Sequence, residues 1–308
     1  MEKYFNINYE FSPQKVGRRI DEQLSKNESD YICVADGVIL NNANRKPDYL
    51  KIVNGGMFAI CDSGYVPLYI KWLYGKRYPQ YCGSQIFKDL VSSQKYRMFF
   101  MGTNQRTLDG LKENLKAMNP KVENMSFYEL PFKAVDEFDY PAIAKMVNED
   151  GADIIWVALG APKQEIFMSK LKPYLKRGVM IAVGAAFKFY SGQDEKRAPK
   201  WMLDAHLEFV YRIFCDPKKQ LKRCGWIVVT LPMLLYQEWK RKRFMQPSNP
   251  QPIGFSGILL AKRQNSFYCT YFLHNRNVAD TKSPYPIKRL EVIRWFNQKS
   301  MVFNQSLS

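Results

Sequence analysis

The chain has 308 residues, 46% of them hydrophobic, and a formal charge of +17, which is ample apolar sequence for one substantial core or two small ones. Only two histidines and six cysteines without a C-x-x-C pair are present, which argues against a histidine-rich metal site and reads as the reduced, mostly buried thiols of a cytosolic protein. The charge is uneven: residues 1–210 carry 29 Lys and Arg against 25 Asp and Glu, whereas 211–243 carry 9 against 2 and 244–308 carry 8 against 2. The last third is thus the basic part, suited to nucleic acid, anionic lipid or a phosphorylated substrate.

The opening MEKYFNINYEFSPQK is polar and has no signal-peptide core. Residues 12–27 predict a helix, with Ser12 as cap, Pro13 in the first turn, and Val16, Ile20 and Leu24 on one face. Tyr31 to Val34 predicts a strand ending at Ala35-Asp36-Gly37, residues 41–54 a polar helix or loop, and Met57 to Cys61 a second strand ending at Asp62-Ser63-Gly64. A carboxylate just beyond a strand end can point into a cleft; the competing reading of Asp62 is a turn or a helix cap. After an apolar, aromatic stretch at 65–74 and a helix over 84–94, Arg97 to Met101 predicts a third strand. It ends at Gly102-Thr103-Asn104 and feeds an amphipathic helix over 105–118. Strand, glycine-polar turn and helix together offer backbone N–H groups to phosphate. The G-x-G-x-x-G dinucleotide spacing is absent. A short strand over 121–127 and a helix over 140–150 follow.

Residues 153–199 form the centre of the reading. Ile154 to Leu159 and Val179 to Val183 are short apolar runs bounded by glycine, as expected of strands buried on both faces. Between them, residues 164–176 have helical spacing, so the stretch reads as a β–α–β unit. Ligands on such sheets lie beyond the carboxyl ends of the strands. Those ends carry Gly160, Pro162, Lys163, Gln164 and Glu165 on one side and Gly184 to Lys188 on the other. The plainer reading is a tight turn into a helix with proline at the first helical position and a solvated first turn. Alternation of strands and helices through residue 189 predicts a mainly parallel, doubly wound, Rossmann-like sheet.

A helix is expected over 200–214. WIVVTLPMLLY at 226–236 is interrupted by Pro232 and flanked by basic residues. As a helix it spans about 16 Å, too short for a hydrocarbon core of about 30 Å, and no run of about 18 apolar residues suggests a spanning helix elsewhere. An apolar run with cations at both ends suits a membrane surface; the alternative is a buried C-terminal helix with solvated flanks. The domain reading is an α/β core at 1–200, a basic membrane-docking segment at 201–243 and a tail of unknown structure at 244–308.

DIIWVALGAPKQE, VGAAF, SGQDEKRAPKW and LEFVYRIFCDPKK, in this order, resemble the WecG/TagA/CpsF glycosyltransferases, glycosyltransferase family 26, from about residue 5 to residue 243. The resemblance implies an inverting transfer that needs no metal or other cofactor. The donor is a UDP-sugar, often of the N-acetylmannosamine type. The acceptor is a polyprenyl-diphosphate-linked sugar at the cytoplasmic membrane face, in teichoic acid, common antigen or capsule synthesis. It implies Asp62 as catalytic base and adds Asp36, Arg197, Arg212, Lys219 and Lys222 to a substrate-binding set that also holds Gly102, Thr103, Asn104, Gly160, Pro162, Lys163, Gln164 and Glu165. In that set Gln164 and Glu165 are expected to meet sugar or ribose hydroxyls. The sequence departs from the family pattern at Gln80, where an arginine is usual, and at Lys188, where an aspartate is usual. An inactive paralogue or nucleotide-sugar-binding partner therefore stays open, as does a homo-oligomer. A nucleic-acid partner is disfavoured because single-strand binding wants aromatics spaced among basic residues.

Overall fold

A computed structural model describes residues 1–192, the helix 217–245, the strands 259–263 and 266–270, and positions 199, 202, 211 and 214; side chains are described for only part of the helix and for neither of the two strands. The chain divides into two units, Met1–Pro247 and Ser248–Ser308.

In the first unit, a hairpin of β1 (Glu2–Tyr4) and β2 (Ile7–Tyr9) precedes α1 (Pro13–Ser25) and β3 (Ser29–Ala35). Then come α2 (Gly37–Arg45), α3 (Pro47–Asn54), β4 (Phe58–Cys61), α4 (Val66–Tyr74), α5 (Gly83–Ser92), β5 (Met98–Gly102) and α6 (Gln105–Leu115). The unit continues through β6 (Ser126–Tyr128), α7 (Tyr140–Asp150), β7 (Ile154–Ala158), α8 (Lys163–Leu171), β8 (Gly178–Ala182), α9 (Ala186–Tyr190) and the long α10 (Pro217–Met245). The eight strands form one sheet in the order β1-β2-β4-β3-β8-β7-β5-β6. Only the β1–β2 pair is antiparallel.

The central strands bury both faces with a period of two. Tyr31, Cys33 and Ala35 of β3, Ile155 and Val157 of β7, and Met180 and Ala182 of β8 join one core. Ile32 and Val34, Ile154 and Trp156, and Val179 and Ile181 join the other. The first core is covered by α2, α3, α4, α7, α8 and Leu234 of α10, the second by α1, α5, α6 and α9. Trp156 is fully buried, its ring 4.8 Å from that of Phe87. Among neighbouring strands, β5 hands its chain to α6 on one face and β7 hands its chain to α8 on the other. The crevice between their carboxyl ends is therefore a topological switch point, the ligand position of open α/β sheets.

Three sequence expectations change. The strand over 121–127 shrinks to β6, because buried Asn119 accepts from the Lys121 N–H and winds Pro120–Asn124 into a 3-10 turn. The polar N-terminal stretch is a hairpin with Phe5 and Asn6 both at positive φ, 49° and 63°. Pro232 does not interrupt α10, which runs continuously from Pro217 to Met245. Pro232 lies on the exposed side, where water can take the carbonyl that loses its partner. The expected helix over 200–214 lies mostly outside the described residues.

The second unit contains an antiparallel hairpin of β9 (Leu259–Arg263) and β10 (Ser266–Thr270), in a stretch with no periodic pattern of apolar residues.

Candidate active site

At the end of β5 the backbone makes a forced turn. Gly102 has φ 106°, and a Cβ there would lie 2.5 Å from the Ala158 carbonyl oxygen on β7. No other residue lets the strands approach so closely. Thr103 follows with φ 57°, a strained conformation for a β-branched residue and of the kind that clusters at ligand sites. Asn104 caps α6: its Oδ1 accepts from the Thr107 N–H at 2.9 Å and from the Thr107 hydroxyl at 2.8 Å. The N-terminus of α6 therefore meets the crevice with its partial positive charge.

Across the crevice, β7 leads through Gly160 and a cis Ala161–Pro162 peptide into α8. Lys163 turns away toward the loop after β6, donating to the Lys133 carbonyl and lying 5.0 Å from the Phe138 ring. Gln164 and Glu165 are both buried. The Gln164 Oε1 accepts from the Gly160 N–H at 3.1 Å, and its Nε2 donates to Glu165 Oε1 at 2.9 Å. The other oxygen of Glu165 accepts from the Tyr49 hydroxyl of α3 at 3.0 Å. Glu165, expected to meet sugar or ribose hydroxyls, is instead fully buried, with protein donors on both oxygens. Burial pushes its carboxyl up to about 7, against the pull of the bonds from Gln164 and Tyr49. Burial and the neighbouring Glu165 raise the Tyr49 phenol well beyond its ordinary range, so it remains the donor.

Asp62 follows β4. Its backbone N–H donates to the Ala35 carbonyl, and its Oδ1 accepts from the N–H of Gly83, the first residue of α5, at 2.7 Å. Gln80 donates from Nε2 to the Asp62 carbonyl at 2.7 Å. The residues between Asp62 and Gln164 form a continuous row. A Cβ on Gly83 would stand 3.8 Å from both Asp62 Oδ1 and the Val183 carbonyl, and one on Gly184 would stand 3.5 Å from Gln164 Oε1. Asp62, Gly83, Val183, Gly184, Gln164 and Gly160 thus line the carboxyl edge from β4 to β7.

Asp36 caps α2, its Oδ1 accepting from the Val38 and Ile39 N–H groups at 2.9 Å each. Beside it, a Cβ on Gly37 would lie 2.9 Å from Ile227 Cδ1, so α10 reaches the same end of the sheet. Its other half is locked in place. Glu238, 2% exposed, accepts from the Phe5 N–H at 2.9 Å and the Tyr74 hydroxyl at 2.7 Å, and pairs with Arg241. Lys242 donates to the Leu73 carbonyl.

Arg197 and Arg212 lie outside the described residues, as do the side chains of Lys219 and Lys222, whose backbone belongs to α10. Sequence reasoning missed Tyr49, Gly83, Ile227 and Glu238. Gly83, following Cys82 at the start of a predicted helix, carried the one usable signal.

A sequence profile of the "Glycosyl transferase WecG/TagA/CpsF family" matches residues 4–247. The chain belongs to this family and is a glycosyltransferase. Among its relatives is the N-acetylglucosaminyldiphosphoundecaprenol N-acetyl-beta-D-mannosaminyltransferase of Bacillus subtilis (strain 168), 23% identical over 231 residues, covering 71% of this chain and 88% of the relative. The protein of the same name from Bacillus spizizenii (strain ATCC 23059 / NRRL B-14472 / W23) is 26% identical over 199 residues, covering 64% and 75%.

Proposed function

We propose that the chain transfers an N-acetylmannosamine-type sugar from a UDP-sugar to a polyprenyl-diphosphate-linked sugar, with inversion and without a metal ion. The observation that carries the reading is Asp62. Its carboxylate is held by the Gly83 N–H on the edge that also bears the Gly102-Thr103-Asn104 turn. In this reading Asp62 accepts the proton of the acceptor hydroxyl as its oxygen attacks the anomeric carbon. The bond from that carbon to the UDP oxygen breaks, and UDP leaves with the electron pair. General base catalysis contributes about 10²–10⁴-fold. The donor diphosphate lies over the turn after β5 and the start of α6, where backbone N–H groups and helix charge favour phosphate. The Gly160 N–H, already engaged by Gln164, contributes shape there.

Arg197, Arg212, Lys219 and Lys222 are the proposed cations for departing UDP. Ile227 supports this for α10, because it stands beside Asp36, and Lys222 is then about 8 Å further along the helix. The solvent side of α10 supports docking on the cytoplasmic face of the membrane. Val229, Met233 and Tyr236 are exposed at 73%, 59% and 46%, and Leu68 and Trp72 of α4 are exposed as well. No helix among the described residues is long and apolar enough to cross a membrane. Such docking would bring the site to a lipid-borne acceptor and supply part of the barrier reduction by positioning.

A second reading, a nucleotide-sugar binder without turnover, is favoured by Gln80 and Lys188. The experiment is transfer of label from a panel of UDP-sugars to a short-chain polyprenyl-diphosphate-GlcNAc acceptor, with and without EDTA. Transfer from one donor that survives EDTA supports the first reading. UDP binding with no transfer from any donor supports the second.

A further inference from the structure

Four residues connect α3 to the floor of the crevice. Tyr49 donates to Glu165, Gln164 donates to the other oxygen of Glu165, and the Gly160 N–H donates to Gln164. Tyr49, Gln164 and Glu165 are all buried, and Gly184 packs against the Gln164 amide. One orientation of that amide satisfies both its neighbours. Reversed, its NH₂ would face the Gly160 N–H and its oxygen would face a carboxylate. The orientation therefore depends on Glu165 being an acceptor.

We propose that Glu165, braced by Tyr49, is a positioning residue for transfer: its Oε1 accepts from the Gln164 amide and locks that amide against the Gly160 turn and beneath Gly184. The proposal rests on the glycosyltransferase reading of this site. It gives Glu165 a role through Gln164 instead of contact with a ligand.

The groups acting on Glu165, among the described residues, are Tyr49 from α3, Gln164 beside it, Cys33 from β3 and Asp36 at the start of α2. β7 and β8 contribute apolar side chains, and α7 turns Tyr140, Ile143, Ala144 and Val147 toward the same core. Burial raises the carboxyl to about 7; protonated, it keeps one oxygen for the Gln164 amide and can donate from the other to the Tyr49 oxygen, so the lock holds on both sides of neutrality.

The test uses the full chain and three variants, with kcat and KM for the UDP-sugar donor followed from pH 5.5 to 9. Glu165→Gln keeps an oxygen for Gln164 and can donate to the Tyr49 oxygen, so it preserves the lock without titrating. Its kcat should stay within about threefold of the parent across this range. Glu165→Met fills the volume but accepts nothing. Its kcat should fall by up to about 10²-fold, as expected of a misplaced group. Its thermal midpoint should fall as well, because the buried Tyr49 hydroxyl and Gln164 amide lose their acceptor, so the rescue by Glu165→Gln is what identifies the hydrogen bond. Tyr49→Phe removes the brace and leaves the Gln164 bond in place, so its kcat should lie between those of Glu165→Gln and Glu165→Met.

The side-chain NH₂ resonances of Gln164, labelled with ¹⁵N-glutamine and identified by their loss in Gln164→Glu, give a second readout independent of turnover. They should keep parent-like positions in Glu165→Gln and move in Glu165→Met. Parent-level kcat in Glu165→Met, or a kcat in Glu165→Gln as low as that of Glu165→Met, overturns the proposal. If the parent transfers no sugar from any donor, the glycosyltransferase reading is what fails. The Gln164 resonances then decide the lock alone: signals unmoved in Glu165→Met overturn it, and signals that move there and not in Glu165→Gln sustain it.

Discussion

The backbone N–H of Gly83 donates to Oδ1 of Asp62 across 2.7 Å, so the first residue of α5 holds a carboxylate at the end of β4. The contact is possible because Gly83 is small: a Cβ there would already stand 3.0 Å from Val34 Cγ1. A helix N-terminus carries partial positive charge, so the carboxylate is oriented by the hydrogen bond and favoured by the dipole. Two strand ends and a helix start thereby point one acid along the crevice.

Asp62→Asn keeps an oxygen for the Gly83 N–H and removes the base. Transfer should fall about 10²–10⁴-fold, while UDP affinity and thermal stability stay close to those of the parent. Near-parental turnover would remove Asp62 from the mechanism.

Gly102→Ala puts a methyl group 2.5 Å from the Ala158 carbonyl at φ 106°. Neither backbone can yield without parting β5 from β7. The expected loss is about 1–3 kcal/mol from the strained conformation alone, with the clash added to it. Denaturant unfolding measures the stability and titration with UDP measures the site, and both should weaken together. A variant as stable as the parent would mean the turn relaxes without cost.

Much of the sheet was legible in the sequence because strands buried on both faces read as short apolar runs ending in glycine. Ile154 to Leu159 and Val179 to Val183 located β7 and β8 to within a residue or two. The β1–β2 hairpin was not legible, because its turn is Phe5-Asn6 instead of an Asn-Gly pair. Those positive φ values are held by distant partners: Asn44 donates to the Phe5 carbonyl, and Glu238 accepts the Phe5 N–H. The turns after β5 and β7 were found by the general rule for parallel sheets. The inward direction of Glu165 was not, since Lys163-Gln164-Glu165 reads as a polar first turn. Its burial follows from Tyr49, 116 positions away. Glu238 was hidden in the same way, as a lone acid among basic residues whose donors come from the hairpin and α4.

Glu238→Ala removes the acceptor shared by the Phe5 N–H, the Tyr74 hydroxyl and Arg241. Breaking one side of a buried pair costs about 3–5 kcal/mol. Denaturant unfolding should show a loss of that size, against about 1 kcal/mol for Tyr74→Phe, which removes one hydrogen bond. Equal losses in the two variants would show that α10 is held by apolar packing at Leu234 and not by this carboxylate.

The exposed stripe on α10 makes a separable prediction. Val229→Ser with Met233→Ser removes apolar surface that points to solvent, so folding stability should change by no more than about 0.5 kcal/mol. Sedimentation with anionic vesicles should weaken, while transfer to a short-chain acceptor in solution should persist. Unchanged vesicle binding would assign the membrane contact to another surface.

The raised carboxyl of Glu165 predicts how stability varies with pH. Its ordinary value is 4.5 and its folded value about 7, with burial as the cause. Between those limits the folded state binds a proton that the unfolded state has released, so stability falls as pH rises from about 4.5 to about 7 and is level above that. At 1.36 kcal/mol per unit, the loss from this group is on the order of 3 kcal/mol. Glu165→Gln cannot titrate and should not show this component. Relative to the parent, its unfolding free energy should therefore climb between pH 5 and pH 7.5 and then stay constant. Denaturant unfolding at pH 5, 6, 7 and 8 measures the difference directly. A difference that does not vary with pH would mean that Glu165 is already charged at pH 5 in the folded protein, and that the bonds from Tyr49 and Gln164 outweigh its burial.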